Sequence, residues 1–285
     1  MTWTLSAFAD EAADSADDQI AALTQANINH VDLRTVDGIN IVELPFRHAE
    51  QVKQKLDDAG IEVGMYGSPI GKTDISDPVE IELERIDHLG EMHKVFHATN
   101  VRMFSFYNKP GLPRQAWKAQ AFDKLKRMID RANYHGLVLY HENETEVYGD
   151  HPDQVEELAE LRGDGFKLIY DFANYLRTGA EPWANWQRLK PITDALHFKD
   201  QKRSGDHVPI GRGDTMANEI LADAVKTGWS GPCTLEPHLF MSDAVLATNV
   251  HGRGDTSLQG KSREELFQIA AVAARELMRD AGAEV

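Results

Sequence analysis

The chain has 285 residues, 42% of them hydrophobic, and a formal net charge of −16 at pH 7. This acidic balance argues against partners such as nucleic acid or anionic membrane surfaces, because binding them requires a surplus of Lys and Arg. The single cysteine, Cys233, rules out an intrachain disulfide, and no signal-peptide pattern or membrane-length apolar window is evident, so a cytoplasmic location is expected.

Short apolar segments alternate with longer amphipathic segments along the whole chain. The apolar segments predict eight β-strands, at residues 4–8, 30–33, 62–66, 100–106, 137–141, 167–170, 195–198 and 232–235. The amphipathic segments predict eight helices, at residues 14–27, 47–60, 78–96, 114–136, 153–163, 184–191, 218–228 and 262–282. Several helices end on glycine, and Ser262 with Glu265 forms a capping-box pattern before the last one.

Eight strand and helix units in this length match the α/β fold known as the (β/α)₈ or TIM barrel, which typically needs about 250 residues. A doubly wound open sheet is the competing architecture. It is disfavoured because no Gly-x-Gly-x-x-Gly follows the first strand, although that absence excludes only the nucleotide-binding subset. No linker-like segment interrupts the pattern, so residues 1–285 are expected to form one TIM barrel domain.

Charged side chains mark the ends of the last four predicted strands. Strand five ends at Glu142, strand six at Asp171, strand seven carries His197 and strand eight ends at Glu236. Active sites of this fold are built at the carboxyl ends of the strands, where neighbouring strands lie about 4.8 Å apart. Each residue alone could be a solvated carboxylate, a helix cap or a core histidine, but the joint pattern predicts one shared site.

A divalent cation would balance three converging carboxylates, which otherwise repel one another. Three oxygen ligands and one nitrogen ligand suit Mn²⁺, Mg²⁺ or Co²⁺ better than a thiol-rich or tetrahedral zinc site. We therefore expect one divalent metal ion as the cofactor. Mn²⁺ is the first choice, and Mg²⁺, Co²⁺ and Zn²⁺ remain open.

Several motifs give this pattern a family resemblance. The sequences HENE, YDFAN, HFKD and LEPH resemble those of the xylose-isomerase-like barrel superfamily, in the sugar phosphate isomerase/epimerase family that includes inosose dehydratases and ketose 3-epimerases. The earlier sequences LSAFADE, HVDLR, SPIGK, VRMFSFY and VYGDHP fit as well, so the resemblance spans nearly the whole chain.

The resemblance implies roles for individual residues. Residues that match Glu142, Asp171, His197 and Glu236 bind one metal in that superfamily, and in the ketose epimerases the two glutamates also exchange the proton. An arginine six positions after the metal histidine contacts substrate there, which corresponds to Arg203. Three positions after the metal aspartate the epimerases commonly carry histidine, whereas this chain has Asn174, so a substrate contact is expected there but the sugar preference is open.

Further substrate contacts are expected at the same end of the barrel. Lys72, in SPIGK after strand three, could bind a substrate oxygen or phosphate, although a surface lysine is an equal alternative. Glu144, His238 and Lys199 share strand faces with Glu142, Glu236 and His197 by alternation. His238 and Lys199 could each contact substrate or instead support a metal ligand. Residues 239–260 form a long connection without periodicity, which favours a lid or a subunit contact and leaves a homo-oligomer open.

The implied chemistry is proton abstraction next to a carbonyl, with a small-molecule sugar as the partner and an enediolate as the intermediate. Return of the proton gives an isomerase or epimerase acting on a ketose or keto-sugar. Loss of a β-hydroxyl instead gives a dehydratase or lyase acting on a 3-keto sugar, glycoside or inosose. An apurinic-site endonuclease, disfavoured by the acidic charge, and a non-catalytic metal-binding scaffold are the remaining alternatives.

Overall fold

Eight parallel strands close into a barrel in chain order, as the sequence predicts. The structure is a computed structural model that describes residues 3–240, 253–254 and 256–283. Each strand pairs with its neighbours in sequence, and the first pairs with the last. The barrel strands are β1 (Thr4–Ala7), β2 (His30–Leu33), β3 (Glu62–Tyr66), β4 (Asn100–Met103), β5 (Val138–Glu142), β6 (Phe166–Asp171), β7 (Ala195–Phe198) and β8 (Pro232–Leu235).

Helices cover the outside of the barrel. The described α-helices are α1 (Ala16–Ala26), α2 (Phe46–Asp58), α3 (Glu80–Phe96), α4 (Arg114–Tyr134), α5 (Pro152–Leu158), α6 (Phe172–Arg177), α7 (Pro182–Leu189), α8 (Ala217–Lys226) and α9 (Arg263–Ala281). The described 3₁₀ helices are Ala9–Glu11, Ala159–Leu161, Lys190–Ile192 and Thr256–Leu258. All eight predicted helices are present, and none of the described helices has the length and apolar composition needed to span a membrane.

Helix α6 was absent from the sequence prediction because six residues are too few to show helical periodicity. It begins directly after β6, and the side chain of Asp171 accepts a hydrogen bond from Asn174 N at 2.8 Å. The strand-end carboxylate is therefore also the N-terminal cap of this helix.

Short strands form two additions at the rim of the barrel. Thr35–Val36 pairs with Ile39–Asn40 in a hairpin after β2. Asp200–Gln201 pairs antiparallel with Asp206–Val208, which pairs in parallel with Arg253–Gly254. Most of the predicted lid, residues 241–252 and 255, lies outside the described residues.

Strand β4 is shorter than predicted and ends at Met103. The next residues leave the barrel ladder, because Phe104 N and Phe106 N donate to the carbonyl oxygens of Ile70 and Gly71, both at 2.8 Å. Phe106 also has a positive φ of 74°. The apolar sequence continues past the strand, so composition alone could not locate this exit.

A small apolar cluster lies in the barrel below the polar ends of β5, β6 and β7. Met65, Ile169 and Ala195 form a small buried cluster with Tyr140 packed against it, separate from the large core that includes the helices. Side chains two positions further along a strand point to the same face. The alternation therefore directs Glu142, Asp171 and His197 into the barrel above this cluster, at the carboxyl end of the strands.

Candidate active site

Four side chains that could ligate a metal, from consecutive strands, meet at the carboxyl end of the barrel. Glu142 and Asp171 are the last residues of β5 and β6, His197 lies in β7, and Glu236 directly follows β8. All four are buried, and one ligand atom from each lies within 4.8 Å of the others. The strand-end pattern read from the sequence thus corresponds to one compact group of side chains, here called the acidic cluster.

Each glutamate of the acidic cluster has an inner and an outer oxygen. The inner oxygens, Glu142 Oε1 and Glu236 Oε2, face His197 Nδ1 at 3.3 and 3.2 Å. The outer oxygens, Glu142 Oε2 and Glu236 Oε1, face guanidinium groups. This orientation leaves the inner oxygens directed toward the middle of the cluster.

Two buried arginines bind the outer oxygens, and sequence reasoning missed both. Arg102 Nη1 donates to Glu142 Oε2 at 3.3 Å and to Glu236 Oε1 at 3.2 Å. Arg34 Nη1 donates to Glu236 Oε1 at 3.1 Å. The guanidinium carbon of Arg34 lies 4.5 Å from the Phe8 ring centroid, and that of Arg102 lies 4.7 Å from it. An arginine inside a predicted core strand was the available signal for Arg102, because such a charge needs a buried partner.

Arg34 also connects the cluster to the segment that follows β1. Its Nε and Nη2 donate to the two carboxylate oxygens of Asp10 at 2.8 and 2.9 Å, a bidentate pair. Glu11 Oε1 lies 3.5 Å from Nη2. Neither acid was predicted as a site residue, because the sequence ADEAAD reads as a solvated helix start.

His238 lies between Glu11 and Glu236. Its backbone N donates to Glu11 Oε2 at 2.8 Å, and its Nε2 lies 3.5 Å from Glu11 Oε1 and 3.4 Å from Glu236 Oε1. Burial lowers the pKa of His238 to about 4, whereas burial raises the pKa of Glu11 to about 8 despite the opposing charge of Arg34. His238 thus lies beside Glu236, on the strand face that alternation predicts.

Lys199 enters the acidic cluster itself. Its side chain is 2% exposed, and Nζ lies 2.8 Å from Asp171 Oδ2, 3.3 Å from Glu236 Oε2 and 3.7 Å from Glu142 Oε1. The contacts to both glutamates are to their inner oxygens. Strand alternation predicts Lys199 on the same face as His197. In the structure its ammonium group contacts three carboxylates directly.

Asn174 and Asn143 hold the carboxylates in orientation. Asn174 Nδ2 donates to Glu142 Oε1 at 3.3 Å and to Asn143 O at 2.8 Å. Asn143 Oδ1 accepts from Asp171 N at 2.8 Å. Because Asp171 Oδ1 already accepts from Asn174 N, its Oδ2 is the oxygen available to the cluster.

Lys72 and Glu144 form an ion pair at the same end of the barrel. Lys72 Nζ lies 3.1 Å from Glu144 Oε2, and both side chains are about nine-tenths buried. The ammonium group also lies 4.4 Å from the Phe104 ring centroid. Gly71 permits this arrangement, since a Cβ at that position would lie 2.1 Å from Phe104 O and the residue has a φ of +82°.

Arg203 does not reach the acidic cluster. Its side chain is 56% exposed and its Nη2 lies 3.1 Å from Glu181 Oε2. It lines a separate cavity of about 760 Å³ with Arg177, Lys202 and Thr145 among others. The predicted substrate contact of Arg203 therefore stays a prediction.

The charges of the cluster shift the pKa values of its members. Burial and the neighbouring Glu236 raise the pKa of Glu142, but His197 and Arg102 outweigh them and hold it near 2. The pKa of Glu236 also lies well below its usual value, since Lys199 and His197 overcome the effect of burial. Burial lowers the pKa of His197, but Glu142 and Glu236 outweigh it and raise the pKa to about 9. Burial raises the pKa of Asp171.

The donor set of the acidic cluster fits a divalent cation. Three carboxylate oxygens and one imidazole nitrogen converge, which is a hard, oxygen-rich set. Asp171 Oδ2 is buried and accepts no hydrogen bond from the described residues, although Lys199 lies beside it. Its partner is the ammonium group of a flexible lysine side chain, and a divalent cation could take the place of that group as the partner of this oxygen.

Comparison with known proteins gives a family match and no match to a curated protein. A family model described as xylose isomerase-like TIM barrel matches residues 20–244. No curated protein matches the chain significantly. The family model therefore covers all of the cluster residues as well as most of the barrel.

Solved structures with the same fold cover nearly the whole chain. A xylose isomerase-like TIM barrel protein from Mycobacterium smegmatis in complex with magnesium is 18% identical, with a TM-score of 0.67 and coverage of 95% of this chain and 98% of the other. D-psicose 3-epimerase from Clostridium cellulolyticum H10, solved with D-tagatose, is 13% identical with a TM-score of 0.74 and 100% coverage of both. The probable 3-DHS dehydratase from Bacillus anthracis, involved in petrobactin synthesis, is 16% identical with a TM-score of 0.69 and coverage of 96% and 99%. At these identities the likeness establishes the fold alone.

Proposed function

This chain belongs to the xylose isomerase-like TIM barrel family, and from that premise we propose that it is a divalent-metal-dependent isomerase or epimerase of a ketose or keto-sugar. The observation that carries the proposal is the acidic cluster, in which ligand atoms of four buried residues lie within 4.8 Å of one another. An epimerase and a dehydratase share the fold, which supports chemistry next to a carbonyl.

The proposed metal ligands are Glu142, Asp171, His197 and Glu236. A bound divalent cation would supply Lewis-acid stabilisation to the negative charge that develops on the substrate oxygen after proton loss. Mn²⁺ remains our first choice, and Mg²⁺ is an equally hard alternative. The metal content of purified protein is the direct measurement.

Glu142 and Glu236 are the proposed proton-transfer groups. The low pKa of both carboxyls keeps them ionised at neutral pH, so each can accept a proton without first losing one. Arg34 and Arg102 hold the outer oxygens and so fix the direction of each carboxylate. Fixed orientation matters because proton transfer requires hydrogen-bond distance to the reacting atom.

The substrate contacts proposed for this reaction lie around the cluster. Lys72, Glu144, Lys199 and His238 are polar groups buried at the carboxyl end of the barrel, and Asn174 adjoins Glu142. Arg203 would have to move toward the cluster to contact the same ligand. A neutral small molecule with several hydroxyl groups suits this mixture of donors and acceptors. We also propose that the protein is cytoplasmic and has no nucleic-acid partner, and we leave open whether it forms a homo-oligomer.

The test is exchange of a carbon-bound proton with solvent. Wild-type protein loaded with Mn²⁺ is expected to incorporate deuterium from heavy water into a turned-over ketose, as measured by NMR and mass spectrometry across a ketose panel. Glu142→Gln and Glu236→Gln are expected to reduce incorporation by about 100-fold or more, the usual scale for a lost acid or base.

Glu160→Gln is the matched control, because Glu160 is exposed and its ion-pair partner is Lys118 on helix α4 rather than a residue of the acidic cluster. It should leave exchange unchanged. Equal exchange in Glu142→Gln and wild type would refute the proposed role of Glu142.

A lyase acting on a 3-keto sugar, glycoside or inosose is the second candidate. The observation in its favour is that guanidinium groups bind both outer oxygens, which weakens each glutamate as a base. An epimerase needs a proton-transfer group on each face of the substrate, whereas an elimination can begin with one base. Growth of an enone absorbance with release of water or aglycone in the same assay would select this reaction.

A further inference from the structure

Lys199 provides a positive charge at the inner side of the acidic cluster. Its ammonium group lies within 3.7 Å of oxygens from Asp171, Glu142 and Glu236. The oxygens that it contacts on the two glutamates are the inner ones, which also face His197 Nδ1. Lysine is among the residues least often fully buried, and it requires paired charges when it is.

The arginines and Lys199 divide the carboxylate oxygens between them. Arg34 and Arg102 bind the outer oxygens, which point away from the centre of the cluster. Lys199 approaches the inner oxygens and Asp171 Oδ2. A purely structural ion pair could use any oxygen of these carboxylates. Lys199 instead contacts the same carboxylate oxygens that a bound metal ion would use.

An ammonium group and a divalent cation at the same oxygens repel each other. This repulsion is strong because the site is buried and the charges are poorly screened. Binding of the metal must therefore either displace the Lys199 side chain or tolerate its charge nearby. Both cases reduce the free energy gained on metal binding.

We propose that Lys199 is a tethered counter-cation that neutralises the acidic cluster in the metal-free protein and weakens metal binding by competing for the same oxygens. The inference rests on the proposed metal centre and goes beyond it, because it assigns the strength of metal retention to a residue that is not a ligand. The metal-free barrel is stable because its carboxylates already have a partner. The metal is correspondingly exchangeable.

The test is calorimetric titration of Mn²⁺ into metal-free protein. Lys199→Met removes the charge and keeps a similar side-chain length, and it is expected to tighten Mn²⁺ binding by about tenfold or more. Lys199→Arg retains a positive charge and should bind within about threefold of wild type. Lys202→Met is the matched control, since Lys202 is exposed, and it should also stay within about threefold.

Thermal melting without metal is the second readout. Metal-free Lys199→Met is expected to melt about 5 °C or more below wild type, because three buried carboxylates lose a partner, and saturating Mn²⁺ should reverse the loss. If Lys199→Met does not fold without metal, Lys199→Gln, which can still donate hydrogen bonds, takes its place in the titration. Unchanged or weaker Mn²⁺ binding in the charge-removing variant would overturn the inference.

Asp171→Asn separates failure of this inference from failure of the proposed metal centre. If wild type binds Mn²⁺, Asp171→Asn abolishes binding and Lys199→Met binds no tighter, the metal centre stands and the role of Lys199 is refuted. If neither wild type nor Lys199→Met binds Mn²⁺, both proposals fail. Tight binding that appears in Lys199→Met alone supports both.

Discussion

Replacement of Arg102 by methionine tests whether the guanidinium groups hold the acidic cluster together. Arg102 is buried, and its Nη1 donates to Glu142 Oε2 and Glu236 Oε1 while Nη2 donates to Gly67 O at 3.2 Å. Methionine is similar in length and can retain the apolar contacts of the side chain. The substitution therefore removes mainly the charge and its hydrogen bonds.

The expected cost follows from these contacts. Removal of one partner from a buried ion pair typically destabilises a protein by about 3–5 kcal/mol, because the other charge is left without compensation. Loss of the hydrogen bond to Gly67 O adds roughly 1 kcal/mol. Arg34 remains on Glu236, so most of the effect comes from Glu142. We expect a loss of about 4 kcal/mol in the free energy of unfolding.

Urea unfolding of the metal-free protein at pH 7, followed by tryptophan fluorescence, measures this loss. The matched control is Arg114→Met, because Arg114 is 52% exposed and contacts Glu157 at 3.1 Å. A surface ion pair of this kind contributes about 1 kcal/mol or less. If Arg102→Met were no less stable than Arg114→Met, the outer oxygens would not depend on the guanidinium group and the electrostatic account of the cluster would be wrong.

Two further substitutions test other features of the barrel. Gly71→Ala should lower the free energy of unfolding by about 3 kcal/mol or more, because the new Cβ would meet Phe104 O. The control Gly60→Ala, which has a φ of +69° and no atom within 4 Å of the new Cβ, should lower it by only about 1 kcal/mol. Similar losses for the two variants in urea unfolding would contradict the steric argument. Burial lowers the pKa of His141 from 6.5 to about 4, so the stability that depends on its neutral form is complete above pH 6.5 and lost as pH falls toward 4. His141→Gln cannot take up this proton, and its unfolding free energy should therefore decrease by about 2 kcal/mol less than that of wild type between pH 7.5 and 4.5; parallel pH profiles would refute the assignment.

The strand pattern and the residues of the acidic cluster could be predicted because both depend on local order. Alternation along a strand determines which side chains share a face, and the parallel topology brings the carboxyl ends of neighbouring strands together. The sequence alone therefore identifies Glu142, Asp171, His197 and Glu236 as a group. The exact strand ends were less predictable than the face assignment, since β4 ends at Met103 and not at residue 106.

The arginine contacts could not be predicted, because they depend on distances across the closed barrel. Arg34 and Glu236 are 202 residues apart in sequence, and Arg102 and Glu236 are 134 apart. No local periodicity relates such positions. The inward position of the Lys199 side chain was predictable from alternation with His197, but its contact with three carboxylates depends on the packing of neighbouring strands.

The pairing of β1 with β8 has a consequence for how the protein is made. Glu236 follows the last barrel strand, while its partner Arg34 and the neighbouring Glu11 lie in the first two units. During translation, Arg34, Arg102 and most of the acidic residues leave the ribosome long before Glu236 is synthesised. Contacts of such large sequence separation form slowly, because loop closure must be completed first. Formation of the Arg34–Glu236 ion pair is therefore a late event in folding, coupled to closure of the barrel.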